Sequence, residues 1–274
     1  MPLATLAQVL QPALREGYAV AGVVTLGWED MRAYVAAAEA ENCPVILQAG
    51  PGCREHTPLP VLASMFRHLA EHASVPVVAH LDHGYSIQDC REAIDSGFSS
   101  VMFDGSRKPL QQNIDETAAI VEIAHAAGVS CEGEIGFVGY ADGEASDGTD
   151  PQEAGQFAAQ TNVDAMAISV GNVHLQQESV SILDEARIQS IESLTKVPLV
   201  IHGGSGVSPE QRQSLARDSA ICKYNIGTEL RMAFGSALRA SLAADQAVFD
   251  RVSILKSTQE PVCNAARRVM AGLR

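Results

Sequence analysis

Four short polar segments carry the residues of this chain that could do chemistry. They are His80-Leu81-Asp82-His83-Gly84, Glu132-Gly133-Glu134-Ile135-Gly136, Gly171-Asn172-Val173-His174 and His202-Gly203-Gly204-Ser205-Gly206. Each follows an apolar run rich in β-branched residues, so we expect the polar side chains at strand ends. Imidazole nitrogens suit Zn²⁺, and three of them leave one coordination position open for a substrate oxygen. The segments therefore predict a catalytic zinc site that acts as a Lewis acid.

Short apolar runs alternate with amphipathic helical patterns along the whole chain. The eight runs are residues 18–24, 44–48, 76–81, 99–103, 129–134, 165–170, 198–201 and 220–225. Continuous apolar strands between helices are typical of a parallel sheet covered on both faces, and eight such units close into a barrel of about 250 residues. The sequence predicts an α/β fold, a single (β/α)8 TIM-barrel domain over residues 1–274.

Helix boundaries are marked by capping residues. Ser86, Asp150 and Ser208 stand where N-cap residues are expected, and Gly97 and Gly128 stand where a left-handed residue ends a helix. These signals predict helices over 87–96, 110–127 and 209–217. We also expect a leading helix over 3–16 that closes the bottom of the barrel, and a helical C-terminal extension over 228–274.

Charge and composition restrict the partners. The net charge of −14 argues against binding to nucleic acid or to an anionic membrane surface. The six cysteines form no CxxC pair, which favours reduced and mostly buried thiols. No apolar run reaches the roughly 18 residues needed to cross a bilayer. These features predict a cytoplasmic protein.

Polar residues follow six consecutive strands of the predicted barrel. They are His83, Asp104, Glu134, His174, His202 and Asn225, after strands three to eight. The carboxyl ends of barrel strands meet at one rim, where active sites of this architecture form. Because a buried polar or ionisable group without a partner is costly, stability does not explain six polar residues at one rim. We expect one shared functional site.

Five motifs together resemble the class II, metal-dependent ketose-bisphosphate aldolases, the family of fructose-bisphosphate and tagatose-bisphosphate aldolases. The motifs are Leu81-Asp82-His83, Val101-Met102-Phe103-Asp104-Gly105-Ser106, Glu132-Gly133-Glu134-Ile135-Gly136, His202-Gly203-Gly204-Ser205 and Tyr224-Asn225-Ile226-Gly227-Thr228. The resemblance runs over nearly the whole chain.

The resemblance implies a role for each site residue. His83, His174 and His202 would bind Zn²⁺, and Asp82 would be the catalytic acid/base. Glu134 and Asp104 would be auxiliary carboxylates at an alternative metal position. A monovalent cation is a further cofactor that the resemblance implies.

Two glycine-containing segments predict a phosphate site. Backbone amides and a helix N-terminus after strands seven and eight commonly bind phosphate in this architecture. The residues predicted to bind substrate are Gln48, Gly203, Gly204, Ser205, Asn225, Ile226, Gly227 and Thr228. In the family these last two segments hold the phosphate of the donor.

Asp82 and His83 present a geometric problem. Adjacent residues of a strand point to opposite faces, so both reach the site only if the strand ends there and the backbone turns. Gly84 would permit that turn. His80 alternates with Asp82 and is predicted to support it or to fill a polar layer of the barrel, rather than to bind metal.

Residues 137–150 are rich in glycine and acid and predict a lid. Asp142 aligns with a loop acid that moves the carbon-bound proton in relatives, although an acidic solvated loop without a catalytic role is an equal alternative. Three other positions depart from the family pattern. Relatives have Asn in place of Val24, a hydroxyl residue in place of Gly50 and Gly in place of Leu175.

The leading hypothesis is a zinc-dependent aldolase that cleaves or forms a ketose phosphate through an enediolate, with dihydroxyacetone phosphate as the donor product. A metal-dependent sugar-phosphate isomerase or epimerase would use the same stabilisation. A catalytically impaired barrel is the third hypothesis, suggested by the three departures. The expected partners are a phosphorylated ketose and other copies of the chain in a homodimer or homotetramer.

Overall fold

Eight parallel strands form a closed barrel in the computed structural model, which describes residues 3–178 and 180–274. The strands are β1 (Val20–Val24), β2 (Val45–Ala49), β3 (Val77–Gly84), β4 (Ser100–Phe103), β5 (Ser130–Ile135), β6 (Ala165–Ile168), β7 (Leu199–Ile201) and β8 (Ile221–Ile226). Each strand pairs with the next, and β1 pairs with β8. The predicted TIM barrel is confirmed.

Eleven α-helices accompany the strands in the described part of the chain. They are α1 (Leu6–Glu16), α2 (Trp28–Ala40), α3 (Pro51–His56), α4 (Leu59–His72), α5 (Ile87–Ser96), α6 (Leu110–Ala126), α7 (Pro151–Thr161), α8 (Glu185–Glu192), α9 (Pro209–Asp218), α10 (Thr228–Ala244) and α11 (Arg251–Ala271). Helix α1 precedes β1, α2 to α9 lie between consecutive strands, and α10 and α11 follow β8. The main apolar core lies between these helices and the strands. The sheet is therefore buried on both faces, as its continuous apolar runs predict.

The leading helix α1 closes the amino-terminal end of the barrel. Leu6, Val9, Leu10 and Ala13 recur at helical spacing and pack against inward-facing apolar residues of the strands. This end is therefore filled with apolar side chains, as predicted. The opposite end, where the strands finish, is left for polar groups.

The capping signals in the sequence are confirmed. Ser86 makes a reciprocal capping box with Asp89, and Asp150 and Ser208 each accept a hydrogen bond from the first turn of their helix. Gly97 is left-handed with φ of 99°. The predicted C-terminal extension is helical but divides into α10 and α11, and α11 packs against α2.

All six cysteines are unpaired and five of them are buried, as the absence of a CxxC pair predicts. Burial raises the pKa of Cys43 to about 11. The thiols are therefore protonated and act as apolar packing groups. No helix in the described part of the chain is long and apolar enough to cross a membrane.

Gly203→Ala is expected to destabilise the fold more than Gly128→Ala. Both glycines are left-handed, with φ of 63° and 70°. A Cβ at Gly128 meets no atom within 4 Å, whereas one at Gly203 overlaps the backbone carbonyl of Val173. The strain of a left-handed alanine should lower the free energy of unfolding by about 1–2 kcal/mol at Gly128. At Gly203, the overlap of the new Cβ with the Val173 carbonyl group should add about 1–3 kcal/mol to that loss.

Urea denaturation of the two variants and of the wild-type protein measures both free energies of unfolding. Equal losses in the two variants would show that close packing at Gly203 is unimportant.

Candidate active site

A bulge in β3 brings Asp82 and His83 to the same cavity. The pairing of β3 with β4 changes register between Leu81 and Gly84, and His83 is left-handed with φ of 52°. A left-handed residue interrupts the alternation of a strand, so two adjacent side chains face one side. The expectation that the strand ends before Gly84 is wrong, because the strand continues and the bulge provides the turn.

Arg54 of α3 holds the bulge in place. Its Nη1 donates hydrogen bonds to the carbonyl oxygens of Ala49 (3.0 Å) and Asp82 (2.6 Å), and its Nη2 donates to that of His83 (3.0 Å). Charge-assisted hydrogen bonds to carbonyl groups offset part of the strain of the left-handed residue. The Arg54 side chain therefore stabilises the backbone conformation at Asp82 and His83.

The three predicted metal-binding histidines converge at the carboxyl end of the barrel. Nε2 of His83 lies 3.1 Å from Nδ1 of His202, and the ring centroid of His174 lies 5.4 Å from that of His83 and 5.6 Å from that of His202. One nitrogen of each lies within 4.8 Å of the others. Small movements of these side chains would bring all three to zinc-ligand distance.

Two of these rings make a hydrogen bond to a carboxylate through the nitrogen that faces away from the cluster. Asp104 Oδ2 accepts a hydrogen bond of 2.8 Å from Nδ1 of His83, and Glu132 Oε1 accepts one of 3.1 Å from Nε2 of His202. When a ring is neutral, such a bond leaves its other nitrogen as a lone-pair donor facing the cluster. Asp104 therefore orients His83 in this structure.

A fully buried lysine lies below the cluster. Lys223 Nζ is 2.7 Å from Glu132 Oε2 and 3.4 Å from Nε2 of His80, whose Nδ1 is 2.8 Å from Ser100 Oγ. Glu132 thus connects Lys223 to the ring of His202. His80 fills a polar layer of the barrel and, as predicted, is not part of the three-histidine cluster.

Burial and charge act differently on the three imidazoles. Burial, followed by the charge of His83, lowers the pKa of His174 to about 4 and holds the pKa of His202 well below its ordinary value. Burial also disfavours a charge on His83, but the carboxylates of Asp82, Asp104 and Glu134 outweigh it and raise its pKa to about 10. His174 and His202 are therefore neutral imidazoles that can offer a lone pair, whereas the carboxylates favour a positive charge on His83.

The donor set fits a divalent metal ion. Neutral imidazole nitrogens are zinc ligands, and a bound cation would compensate the negative charge of the surrounding carboxylates. Glu134 Oε2 is buried without a hydrogen-bond partner. Burial, then the charge of Asp104, raises the pKa of Glu134 well above its ordinary value. His83, Asp104 and Glu134 form a second group of ligand atoms within 4.8 Å of one another.

Asp82 lies beside the cluster and lines the cavity. Its side chain is nearly buried, and Oδ1 accepts a hydrogen bond of 3.3 Å from Nδ2 of Asn225. A Cβ at Gly50 would lie 3.3 Å from Oδ2 of Asp82. Gln48 is also predicted to bind substrate, but it is completely buried below the cavity. Both of its amide atoms lack a hydrogen-bond partner among the described residues.

The predicted phosphate segments form the opposite wall of the cavity. Gly203, Ser205, Gly227 and Thr228 line it together with Asn225, around a volume of about 330 Å³. Helix α10 begins at Thr228 without a side chain of Gly227 to cap it. The amide of Glu229 in this first turn donates a hydrogen bond of 3.3 Å to Oγ of Ser205, and the start of the helix lies at a cavity that suits an anion.

Gly204 and Ile226 lie just behind the same wall. Gly204 begins a short 3₁₀ turn, and a Cβ added to it would lie 3.0 Å from Cδ1 of Ile226. These two predicted residues shape the phosphate segments by packing against each other.

Residues 137–149, here called the strap, fold over the site. Phe137 and Asp147 pair through two backbone hydrogen bonds of 2.8 Å, and Tyr140 pairs with His174. Tyr140 lines the cavity, whereas Asp142 is exposed and lies outside the cavity wall. The predicted lid is thus a hairpin that contacts His174, one of the three predicted metal-binding histidines.

Leu175 adopts the conformation that glycine would adopt. Its φ is 61°, and its side chain lines the cavity and is 52 % exposed. The backbone beside His174 is therefore kept at the cost of local strain. The departure from the family pattern places an apolar side chain at the cavity mouth in a backbone conformation that favours glycine.

Sequence patterns predict no role for Glu132, Lys223 or Tyr140, and they mark Leu175 only as a departure from the family pattern beside His174. Strand alternation could have found two of them, because Glu132 alternates with Glu134 and Lys223 with Asn225. No comparable pattern in the local sequence predicts the contacts of the strap.

Known proteins that are similar to this chain belong to one family. A family model described as fructose-bisphosphate aldolase class-II matches residues 4–274. The chain belongs to this family. It is accordingly a class II aldolase, a carbon–carbon lyase.

Two relatives show 38 % sequence identity to this aldolase. A fructose-bisphosphate aldolase of Geobacillus stearothermophilus aligns over 93 % of this chain and 91 % of its own. A 6-phospho-5-dehydro-2-deoxy-D-gluconate aldolase of Shouchella clausii aligns over 91 % of this chain and 87 % of its own. The crystal structure of the YdjI aldolase from Escherichia coli K12 superimposes with a TM-score of 0.85 at 27 % identity, covering 99 % of this chain and 97 % of that one.

Lys223→Met should strongly destabilise the aldolase, because it leaves the carboxylate of Glu132 buried beside His202 without its ammonium partner. Removing one member of a buried ion pair costs about 3–5 kcal/mol. The free energy of unfolding in urea measures the loss.

The double variant Lys223→Met/Glu132→Gln is the matched control. It removes both charges and should recover part of the stability. A single variant as stable as the wild-type protein would show that the pair contributes little.

Proposed function

We propose that this aldolase is zinc-dependent and cleaves or forms a ketose phosphate, with dihydroxyacetone phosphate as its donor product. The observation that carries the proposal is one cavity with three groups on its walls. The histidine cluster, the Asp82 carboxylate and the start of α10 all face it. An aldolase needs an electrophile, a proton carrier and a site for the anionic end of its substrate.

His83, His174 and His202 would hold the metal ion. When bound there, Zn²⁺ supplies a Lewis acid that polarises a ketone carbonyl. The group formed by His83, Asp104 and Glu134 offers an alternative position for the ion.

Asp82 is the proposed acid/base. Its carboxylate faces the cavity and would accept the proton of the substrate hydroxyl whose loss starts carbon–carbon cleavage. The hydrogen bond from Asn225 fixes one carboxylate oxygen and leaves the other free for this transfer. In the direction of synthesis, Asp82 would return the proton to the new alkoxide oxygen.

Asp142 is the proposed carrier of the carbon-bound proton of the donor. It is exposed outside the cavity wall, so this role requires the strap to rearrange when substrate binds. Exchange of solvent deuterium into the donor tests the role, because Asp142→Ala should slow exchange more than Asp82→Ala does.

The phosphate of the donor would bind against Gly203, Ser205 and the first turn of α10. Main-chain amides at a helix N-terminus stabilise an anion at short range despite the net charge of −14, because diffuse surface charge is screened over a Debye length of about 8–10 Å. The two relatives at equal identity carry different substrate names, so similarity by itself does not select the acceptor half of the substrate.

Asp82→Ala is expected to keep stoichiometric zinc and to lower kcat by about 10²–10⁴, the effect of removing a positioned proton carrier. Steady-state cleavage of a panel of ketose phosphates and elemental analysis of the purified variant measure the two properties. Asp82→Asn keeps the side-chain volume and should be equally inactive. A change confined to KM would make Asp82 a binding residue.

Dihydroxyacetone phosphate should bind the zinc-loaded enzyme much more tightly than dihydroxyacetone does, because only the phosphate contacts the start of α10. Calorimetric titration of both compounds compares the affinities. Equal affinities would show that the phosphate site is not used, and the substrate would then be a non-phosphorylated ketone.

A further inference from the structure

The three histidines of the cluster are not held in the same way. His83 is fixed by Asp104 and His202 is fixed by Glu132, each through the ring nitrogen that faces away from the cluster. A metal-binding imidazole normally has such a partner, which sets its tautomer and its orientation. Removing one typically costs about 10- to 100-fold in metal affinity.

His174 has no such partner among the residues that the structure describes. In the described ranges, residues 3–178 and 180–274, no side chain or carbonyl group makes a hydrogen bond with its ring. The ring packs instead against the ring of Tyr140, with centroids 5.0 Å apart and planes inclined by 27°. This is a stacked contact over the face of the imidazole, and it restricts rotation about the side-chain bonds.

The strap that carries Tyr140 is itself attached to the backbone of His174. The amide of His174 donates a hydrogen bond of 2.8 Å to the carbonyl oxygen of Gly139, and the amide of Ala141 donates one of 3.0 Å to the carbonyl oxygen of His174. Tyr140 lies between these two attachment points. The ring stack and the two hydrogen bonds therefore form one contact between the strap and the histidine.

We propose that Tyr140 is the positioning residue of His174 and takes the place of the hydrogen-bonding carboxylate that the other two histidines have. The strap consequently stabilises the metal site, and an ion bound at that site stabilises the strap in return. This inference rests on the metal site of the proposed function. It adds a residue that does not bind the ion itself.

Tyr85 provides an internal comparison. Its ring is stacked on His83, with centroids 6.3 Å apart and planes inclined by 28°. His83 is also held by the short hydrogen bond to Asp104. Removal of the Tyr85 ring should therefore have little effect on the metal site, whereas removal of the Tyr140 ring should have a large one.

Zinc dissociation constants, measured by competition with a chromophoric chelator, test the proposal in the full-length protein. Tyr140→Ala should weaken zinc binding by about 10-fold or more, the range for loss of an orienting partner. Tyr140→Phe keeps the stacked ring and should bind zinc like the wild-type protein. Tyr85→Ala should also bind zinc like the wild-type protein.

Circular dichroism and urea denaturation of the zinc-free variants show whether each one folds. If Tyr140→Ala does not fold, Tyr140→Leu keeps apolar volume without a stacking plane and takes its place, with the same expected loss of affinity. Unchanged zinc affinity in the folded variant would overturn the proposal. Absence of stoichiometric zinc in the wild-type protein would instead overturn the proposed function.

Hydrogen exchange gives a second, independent measurement. In the wild-type protein, zinc should slow exchange of the Ala141 amide, which is bonded to the His174 carbonyl group. In Tyr140→Ala this protection by zinc should be smaller. The same protection in both proteins would show that the strap and the metal site are not coupled through Tyr140.

Discussion

The left-handed backbone at His83 is the constraint on which the rest of the site depends. A regular strand would place Asp82 and His83 on opposite faces, with one in the barrel and the other under a helix. The bulge costs about 1–2 kcal/mol in local strain for a residue with a Cβ. Three hydrogen bonds from Arg54 to carbonyl groups offset part of that cost and keep the carboxylate of Asp82 next to the imidazole of His83.

Charge in the barrel is arranged in layers. At the bottom of the polar region, Lys223 neutralises Glu132, which leaves the second oxygen of that carboxylate free to orient His202. Above it, the carboxylates around His83 favour a cation, and the start of α10 opposite them favours an anion. A polarised ketone with a phosphate end matches this arrangement, although the surface of the chain is strongly acidic.

Two side chains at the rim of the cavity flank the backbone that presents His174. Leu175 follows it in a left-handed conformation and adds an apolar side chain to the cavity mouth, and Tyr140 stacks its ring on His174. Changes at Leu175 would alter contacts with the substrate, whereas the proposed role of Tyr140 means that changes there would also alter the metal site. Relatives with different substrate names and equal identity are consistent with such variation.

Local patterns are enough to predict most of the fold. Strand periodicity, helix caps such as Ser86 and the placement of polar residues after strands depend on neighbours in the chain, and the eight strands, the helix across the barrel bottom and the histidine cluster follow from them. The bulge at His83 and the hydrogen-bond partners of the histidines do not follow from local patterns. Glu132 meets His202 across 70 positions of sequence and Lys223 across 91. Such pairs exist only when the barrel closes in one register, and no local pattern records which side chains that register brings together.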